Sequence, residues 1–330
     1  MSGVLALTWF EHRRTRELCA GLDIELAVVA TNLRGPVRYL VLGVRTLALL
    51  ARRRPEVLLV QNPSLILAAL GVVVRGVLRY RLIVDAHNEA VVPFVNRQRW
   101  VAGLSRWVTH HADLTIVSNR QLAERVALQG GRPFTLPDRI PVPPAVSMQA
   151  LDGPFNVVLI ATFAPDEPVA AMFEAVRGMD VALYVTGNHR RLDSTVAAGV
   201  PPNVRFTGFL DELDYWSLLR SADAIADLTL MDNCLVCGSY EALALGKPML
   251  LSSNCASMEL FGDCAVFTNN TAPDVRRAVE RLRAEHARLQ AAAERKRSEL
   301  ADLWAGSARA LGDIVAGSRP RGGTDSGLVN

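Results

Sequence analysis

The chain has 330 residues, half of them hydrophobic, and its formal net charge at pH 7 is +3. This length suggests two domains, and the hydrophobic share is sufficient for a full core in each. Arginine far outnumbers lysine, yet no block of the chain is basic enough for a nucleic-acid-binding arm, so we expect no nucleic-acid partner.

The sequence predicts neither a secretory leader nor a membrane-spanning helix. Residues 1–8 are too short for a leader and lack its charged flank and cleavage site. The longest uncharged run, residues 57–74, is marginal for a bilayer and is interrupted by Gln61, Asn62 and Pro63. A strand, a turn and a buried helix explain it better, so we expect a cytoplasmic protein.

Strand and helix patterns alternate through the first half, as in a parallel sheet. The predicted strands are residues 4–8, 24–31, 57–61, 81–86, 114–118 and 134–136. The predicted helices are one ending near Ala20 and residues 37–51, 65–78 and 119–129. Residues 137–144 contain four prolines, which suit an extended linker between domains.

The alternation resumes after the linker. Predicted strands are residues 156–161, 182–186, 204–206 and 224–228, with another beginning at 249–251. Predicted helices are residues 169–176, 211–221, 240–245 and 274–303. We therefore expect an N-terminal domain at 1–140, a C-terminal domain at 141–305, and a last helix followed by a disordered tail at 306–330.

The stretch from Asp223 to Phe267 is the most informative part of the chain, with a strand, a polar loop and a helix in sequence. Ligands bind at the carboxyl ends of parallel strands, and a helix N-terminus offers free N–H groups to an anion. Glu241, predicted in the first helical turn, is able to accept two hydrogen bonds from a vicinal diol such as a ribose.

The run GSYEALALGKPMLLSS, followed by Glu259 and Leu260, resembles the nucleotide-sugar half of family 4 glycosyltransferases of the GT-B fold. That family has two glutamates eight positions apart and an EAMAxGxPV-like run. The second glutamate matches Glu241, whereas the first falls on Asn233, with Asp232 beside it. The resemblance implies an α/β protein with two Rossmann-like domains facing a cleft. The alternative is an ordinary buried α/β unit with a capping glutamate.

Four shorter runs, QNPS, DAHN, PDE and LPDRIP, resemble the chitobiosyldiphosphodolichol β-mannosyltransferases. This second resemblance implies a lipid-linked acceptor and GDP-mannose as the donor.

The chain departs from family 4 at the diphosphate. Family members place an arginine and a lysine after the first strand of the second domain, where this chain has Thr162 and Glu167. The resemblance therefore implies that Thr162, the backbone N–H groups of Gly238 and Ser239, or a cation such as Arg190 hold the diphosphate. For the segment around Arg190, a solvated charged turn is the alternative.

On the acceptor side, His87 ends a predicted strand, where a neutral imidazole is able to take a hydroxyl proton or hydrogen-bond a sugar hydroxyl. Asp85 or Glu89 is placed to orient it, and a structural strand-end histidine is the alternative. In the loop after the first strand we expect Glu11, Arg13 and Arg14 to face the acceptor, with a phosphate as partner for either arginine. A capped helix start with solvated arginines is the alternative.

The resemblance implies a glycosyltransferase that moves a hexose from a UDP- or GDP-linked sugar to a glycan or polyprenyl-linked acceptor in polysaccharide or glycolipid synthesis. Asp232, Asn233 and His87 are the expected catalytic residues. Neither a cofactor nor a metal is expected, since the lone CxxC at Cys234 and Cys237 lacks two further ligands. Alternatives are a non-catalytic GT-B subunit or scaffold and a nucleotide-sugar epimerase.

Arginines also lie among apolar residues in the predicted helices at 37–53 and 65–81. Such faces are able to rest on an anionic membrane, for instance the inner face of the cell membrane. The alternative is that these are core helices whose surface arginines snorkel into solvent.

Overall fold

The computed structural model describes residues 3–62, 64–91 and 99–317. The predicted disordered tail from Ser318 lies outside these residues, as do Pro63 and the side chain of Glu89. The chain forms two compact units. The first contains the residues up to Arg139 together with those from Leu303 onward, and the second is Ile140–Asp302.

The first unit is built on a parallel six-stranded sheet in the order β2-β1-β3-β4-β5-β6. Its strands are β1 (Val4–Thr8), β2 (Glu25–Val28), β3 (Val57–Asn62), β4 (Arg81–Ala86), β5 (Leu114–Val117) and β6 (Pro133–Thr135). Helices cover both faces, so the middle of each central strand is apolar and buried, as at residues 58–60 of β3 and 82–84 of β4.

Within the described residues of this unit, six helices connect the strands. They are α1 (Arg13–Leu22), α2 (Pro36–Arg53), α3 (Leu65–Leu78), α4 (Asn88–Val91), α5 (Arg99–His111) and α6 (Arg120–Leu128). Side-chain caps fix two of the helix starts, because Ser64 accepts from the Leu67 N–H and Asn119 accepts from the Leu122 N–H.

The second unit contains another parallel six-stranded sheet, in the order β12-β11-β10-β7-β8-β9. Its strands are β7 (Asn156–Leu159), β8 (Ala182–Thr186), β9 (Val204–Gly208), β10 (Ala224–Asp227), β11 (Met249–Ser252) and β12 (Ala265–Thr268). The register between β8 and β9 shifts at Val185/Thr186, so that Thr186 pairs with Gly208 at the carboxyl ends.

The helices of the second half cover both faces of this sheet. They are α7 (Val169–Val176), α8 (Ser194–Ala198), α9 (Glu212–Ser221), α10 (Cys237–Ala244), α11 (Cys255–Phe261), α12 (Ala272–Ala284) and α13 (His286–Val315). The helical region predicted at 274–303 is therefore two helices separated by Glu285. Nε2 of His286 lies 3.0 Å from the Asp223 carbonyl, and this contact anchors the break.

The last turns of α13 belong to the first unit, where Ala308, Leu311 and Val315 share a core with Leu18 and Leu22 of α1. Trp304 packs so closely on α1 that a Cβ at Gly21 would lie 2.1 Å from its ring.

The predicted α/β class with two Rossmann-like sheets is confirmed. Among the helices described, none combines the length and the low charge needed to cross a bilayer.

Candidate functional site

A cavity of about 700 Å³ opens at the carboxyl ends of β7, β8 and β9 in the second unit. The segments that follow these strands form its wall, at residues 160–162, 186–191 and 208–210, together with Tyr215 of α9. This edge is where ligands bind in open parallel sheets. Thr162 and Arg190, both predicted as site residues, line the same cavity.

The loop after β8 supplies the positive charge of the cavity. Gly187 has a φ of +87°, and a Cβ there would lie 2.1 Å from the Ala161 carbonyl oxygen, so the turn requires glycine. The Asn188 side chain then accepts a 3.2 Å hydrogen bond from the Arg190 N–H and begins a short turn. Arg190 and Arg191 are exposed in this turn, and both line the cavity.

The N–H groups of the loop after β7 already bind a carboxylate from the same chain, that of Glu167. The carboxylate of Glu167 accepts hydrogen bonds from the Thr162 N–H at 2.9 Å, the Phe163 N–H at 2.7 Å and the Thr162 hydroxyl at 2.6 Å. Phe163 has a φ of +58°, and successive N–H groups that converge at such a turn form an anion-binding concavity. A ligand anion is able to use these donors only after displacing Glu167.

Glu241 is linked to this cavity by a hydrogen bond to a tyrosine that lines it. It is 7% exposed, and its carboxylate accepts a 2.5 Å hydrogen bond from the hydroxyl of Tyr215, which lines the cavity. Burial, followed by the charge of Glu241, raises the pKa of Tyr215, so the phenol stays a neutral donor. Because α10 begins at Cys237, Glu241 lies in the second helical turn, and its prediction in the first turn is wrong.

Gly238 packs directly on a buried carboxyl group. Its N–H donates to Oδ2 of Asp227 at 2.8 Å, and a Cβ there would lie 2.6 Å from the same oxygen. Burial raises the pKa of Asp227 well above its ordinary value; the Gly238 N–H opposes this, and the charge of Glu241 adds to it. The Ser239 N–H donates to the Val236 carbonyl at 3.3 Å. A phosphate role for Gly238 and Ser239 stays a prediction, and it requires these bonds to be exchanged.

Asp232 and Asn233 lie in the turn between β10 and α10, outside the lining of the cavity. Asp232 is exposed, and Asn233 has a φ of +55°, a conformation that asparagine tolerates. Their contact with a transferred sugar stays a prediction. The neighbouring Cys234 and Cys237 are thiols rather than a disulfide, and within the described residues no group of three His, Cys, Asp or Glu side chains is placed to hold a metal.

In the first unit, a buried arginine in the first turn of α1 joins the carboxyl ends of β4 and β6. Nε of Arg14 is 3.0 and 3.3 Å from the two carboxylate oxygens of Asp85, and a terminal nitrogen donates to the Leu136 carbonyl at 3.1 Å. A second ion pair joins Arg14 to Asp138. These contacts give Arg14 a structural role, and its predicted pairing with a phosphate stays a prediction.

Two histidines lie together beside this ion cluster. The rings of His12 and His87 meet edge to face with centroids 4.7 Å apart, and the Gln61 amide nitrogen is 3.2 Å from Nε2 of His87. The Gln61 amide and Nε2 of His87 are therefore within hydrogen-bond distance of each other. Burial lowers the pKa of His87 to about 4, despite the opposing charge of Asp85, and it also lowers the pKa of His12.

The other acceptor-side residues lie at the start of α1. Glu11 is exposed and pairs with Arg16 at 3.3 Å, and Arg13 is partly exposed. Their predicted contacts with an acceptor stay predictions.

Sequence reasoning missed His12, Gln61, Tyr215 and Asp227 as site residues. His12 and Gln61 carried a usable signal, because each is a polar residue at or just after the end of a buried strand. Tyr215 had none, since it meets Glu241 only through the fold.

No family model matches the sequence, and no curated protein does either. Solved structures match it over 95% of its length. Sucrose-phosphate synthase from Thermosynechococcus elongatus is 14% identical, with a TM-score of 0.79 and 98% of that chain covered. HepE from Anabaena, in complex with UDP-glucose, is 13% identical, with a TM-score of 0.72 and 98% coverage.

A third match is a Listeria monocytogenes protein with the provisional name UDP-N-acetylglucosamine 2-epimerase. It is 15% identical, with a TM-score of 0.63, and the alignment covers 95% of this chain and 96% of that one. Identities this low establish the fold alone. The chain therefore has the GT-B fold, which the resemblance in its second half implied.

Proposed function

We propose that the chain is a glycosyltransferase that transfers a hexose from a nucleotide diphosphate sugar to a hydroxyl of a glycan or a polyprenyl-linked oligosaccharide. The observation that carries this proposal is the cavity at the ends of β7, β8 and β9, with Arg190 and Arg191 in its wall and the Tyr215–Glu241 pair beside it. Its volume of about 700 Å³ is in the range of small-molecule and cofactor sites.

The donor roles follow from the chemistry of this wall. Arg190 and Arg191 neutralise the diphosphate by charge-assisted hydrogen bonds. Thr162, on the loop after β7, lines the same cavity. Tyr215 and Glu241 bind the ribose diol as acceptors, because the phenol proton is donated to Glu241 and leaves the phenol oxygen and the remaining carboxylate lone pairs for the ribose hydroxyls. Asp232 and Asn233 contact the hexose. HepE in complex with UDP-glucose favours UDP over GDP as the nucleotide.

His87 acts on the acceptor in this proposal. A pKa near 4 makes the imidazole a poor proton acceptor at neutral pH, because a general base works best with a pKa near the working pH. Its role is therefore to orient an acceptor hydroxyl by a hydrogen bond. The Gln61 amide contacts the His87 ring, and the Asp85 carboxylate lies near enough for its charge to act on the ring.

Calorimetry with UDP-glucose and GDP-mannose tests the donor site. Glu241→Gln removes the charge but keeps an acceptor oxygen, and charge-assisted hydrogen bonds contribute about 1.5–3 kcal/mol. The expected result is tight binding of one nucleotide sugar by the parent and a roughly ten- to hundredfold weaker affinity in the variant. Glu174→Gln, an exposed position on α7, is the matched control and leaves the affinity unchanged. Equal binding by parent and Glu241→Gln contradicts the site.

A nucleotide-sugar epimerase is the second candidate, favoured by the match to the Listeria protein. Incubation with UDP-N-acetylglucosamine in the absence of an acceptor separates the two. Conversion to the 2-epimer supports the epimerase, whereas transfer only in the presence of a glycan or lipid-linked acceptor supports the transferase.

A non-catalytic subunit is the third candidate, favoured by Glu167 and Asn233 at positions where family 4 enzymes have a basic residue and a glutamate. Tight nucleotide-sugar binding without turnover on any acceptor supports it.

A further inference from the structure

Helix α2 is apolar on two opposite sides. One side packs on the sheet and carries the buried residues Leu42, Thr46 and Leu50. The other side faces solvent and carries Val37, Leu40, Val44 and Leu47, at spacings of three, four and three residues. Leu40 is 69% exposed and Val44 is 59% exposed. A helix that only covers a core has charged or polar residues on this outer side.

Helix α3 repeats the pattern next to it. Leu67, Ala68, Gly71 and Val72 are buried, whereas Ile66, Val73 and Val77 point outward on the opposite side. Val73 is 67% exposed and Val77 is 81% exposed. Helix α3 contacts α2 on one flank and α5 on the other, and α5 carries Trp100, which is 61% exposed. We call the outward apolar residues of α2 and α3, with Trp100, the outer apolar face.

The charged side chains of the three helices that carry the outer apolar face are all positive. Helices α2, α3 and α5 all contain arginines, and none of them contains an aspartate or a glutamate. Arg38, Arg45 and Arg52 recur at seven-residue intervals and therefore form one row along a flank of α2, in which Arg38 lies over the Phe10 ring and Arg45 donates to the Ala30 carbonyl. Two further arginines pair with carboxylates on neighbouring elements, Arg53 with Glu25 and Arg75 with Asp113.

We propose that the outer apolar face docks on an anionic lipid membrane. The aliphatic side chains and Trp100 enter the boundary between headgroups and acyl chains, and the arginine row contacts the lipid phosphates. A second copy of this chain is a poorer occupant, because two such faces would bring arginine rows together with no carboxylate on the facing helices to pair with them. The face uses none of the residues assigned to the donor site.

Flotation of the full chain with lipid vesicles tests this proposal. Vesicles are made of phosphatidylcholine alone or of phosphatidylcholine mixed with phosphatidylglycerol. The expected result is binding to the mixed vesicles, little binding to the neutral ones, and release as salt screens the arginine row.

Leu40→Glu and Val77→Glu test the face itself, since both positions are exposed and tolerate a charge in the folded state. Each is expected to lower the partition coefficient for anionic vesicles by about tenfold or more, because it removes apolar area and repels the lipid phosphates. Leu128→Glu is the matched control, an 82% exposed leucine on α6 that lies outside the face, and it leaves the partition unchanged. Circular dichroism and the melting temperature confirm that all three variants fold like the parent.

Three outcomes overturn the proposal: no binding to anionic vesicles, equal effects of Leu40→Glu and Leu128→Glu, or a parent that self-associates without vesicles and is dispersed by Leu40→Glu. The last of these assigns the face to a second copy. Nucleotide-sugar affinity is measured on the same variants and stays at the parental value. If the parent binds anionic vesicles but no nucleotide sugar, the result contradicts the proposed glycosyltransferase function and leaves the membrane proposal intact.

Discussion

Among individual residues, Glu167 controls how many backbone donors the loop after β7 offers to a ligand. Its carboxylate holds two N–H groups and the Thr162 hydroxyl, and it adds a negative charge to the protein segment that lines the cavity. Anions of a ligand are repelled by this charge and compete with it for the same donors.

We predict that Glu167→Gln raises the affinity for a nucleoside diphosphate by roughly three- to tenfold, because one like charge is removed. The same change is expected to lower the free energy of unfolding by about 0.5–1.5 kcal/mol, since neutral hydrogen bonds replace charge-assisted ones. Calorimetry with UDP and urea unfolding measure the two effects. Glu280→Gln on α12, an exposed glutamate paired with Arg276, is the control; a weaker affinity in Glu167→Gln than in this control contradicts the prediction.

The contribution of His87 to the free energy of unfolding depends on pH. Its pKa is about 4 in the folded chain and about 6.5 when unfolded, so the unfolded chain binds more protons between these values. Stability from His87 is therefore complete above pH 6.5 and is lost as the pH falls toward 4. We expect the parent to lose roughly 2 kcal/mol of unfolding free energy from this residue between pH 7 and pH 5.

His87→Gln removes this titration and is expected to show a correspondingly smaller loss when urea unfolding is measured at both pH values. Identical losses in parent and variant mean that His87 titrates normally in the folded chain.

The sequence predicted some single residues and not others. Thr162 and Arg190 both line the cavity, because each follows a predicted strand and the carboxyl ends of parallel strands share an edge; their binding roles stay predictions. The Tyr215–Glu241 bond joins residues 26 positions apart, and only the packing of α9 on α10 brings them together. The occupation of the β7 loop by Glu167 likewise depends on a left-handed φ at Phe163, which no pattern in the sequence indicates.

At the scale of elements, the contact between α1 and the end of α13 leaves no room for a side chain at Gly21. We predict that Gly21→Ala lowers the free energy of unfolding by about 1–3 kcal/mol, since the new methyl group overlaps the Trp304 ring. Gly43→Ala on α2 is the matched control, because nothing lies within 4 Å of its added Cβ. That control is expected to raise the stability by about 0.5–1 kcal/mol through helix propensity.

Urea unfolding of both alanine variants measures the difference. Equal stabilisation by the two substitutions contradicts the close contact between Gly21 and Trp304.

Element prediction succeeded where one periodicity ran without interruption. The bounds of β1, α3, β4, α7 and β8 agree with the predicted ones, because each is an apolar run with clear end signals. Helix α5 was not predicted, since its arginines, histidines and tryptophans obscure the apolar stripe. The break between α12 and α13 has no glycine or proline to mark it and depends on the tertiary contact of His286.

At the scale of the whole molecule, α13 contributes to two separate cores. Leu311 is buried in the core of the first unit, and Leu289 is buried in the core of the second, both at 0% exposure. Leucine-to-alanine changes at such sites cost about 2–5 kcal/mol. We predict that Leu311→Ala weakens the first unit and leaves nucleotide affinity intact, whereas Leu289→Ala weakens the second.

Amide hydrogen exchange resolves the two effects, because it reports separately on β1–β6 and on β7–β12. Equal loss of protection in both sheets from either substitution means that the units unfold as one.

The organisation into two α/β units was predictable from the repeated alternation and the proline-rich segment near Asp138. The return of the chain to the first unit at Leu303 was not predictable from the residue pattern, because the sequence of a long amphipathic helix does not indicate which of two cores its end packs against.

This return has a consequence for synthesis on the ribosome. The N-terminal part of the first unit is translated before the second unit, yet its core lacks Ala308, Leu311 and Val315 until the last turns of α13 have been made. At about 5–20 residues per second, translation of the intervening second unit takes roughly ten to thirty seconds. During that time α1 exposes the apolar surface that α13 later covers. We therefore expect the nascent N-terminal half to be the stage of synthesis at which this protein is most prone to aggregate.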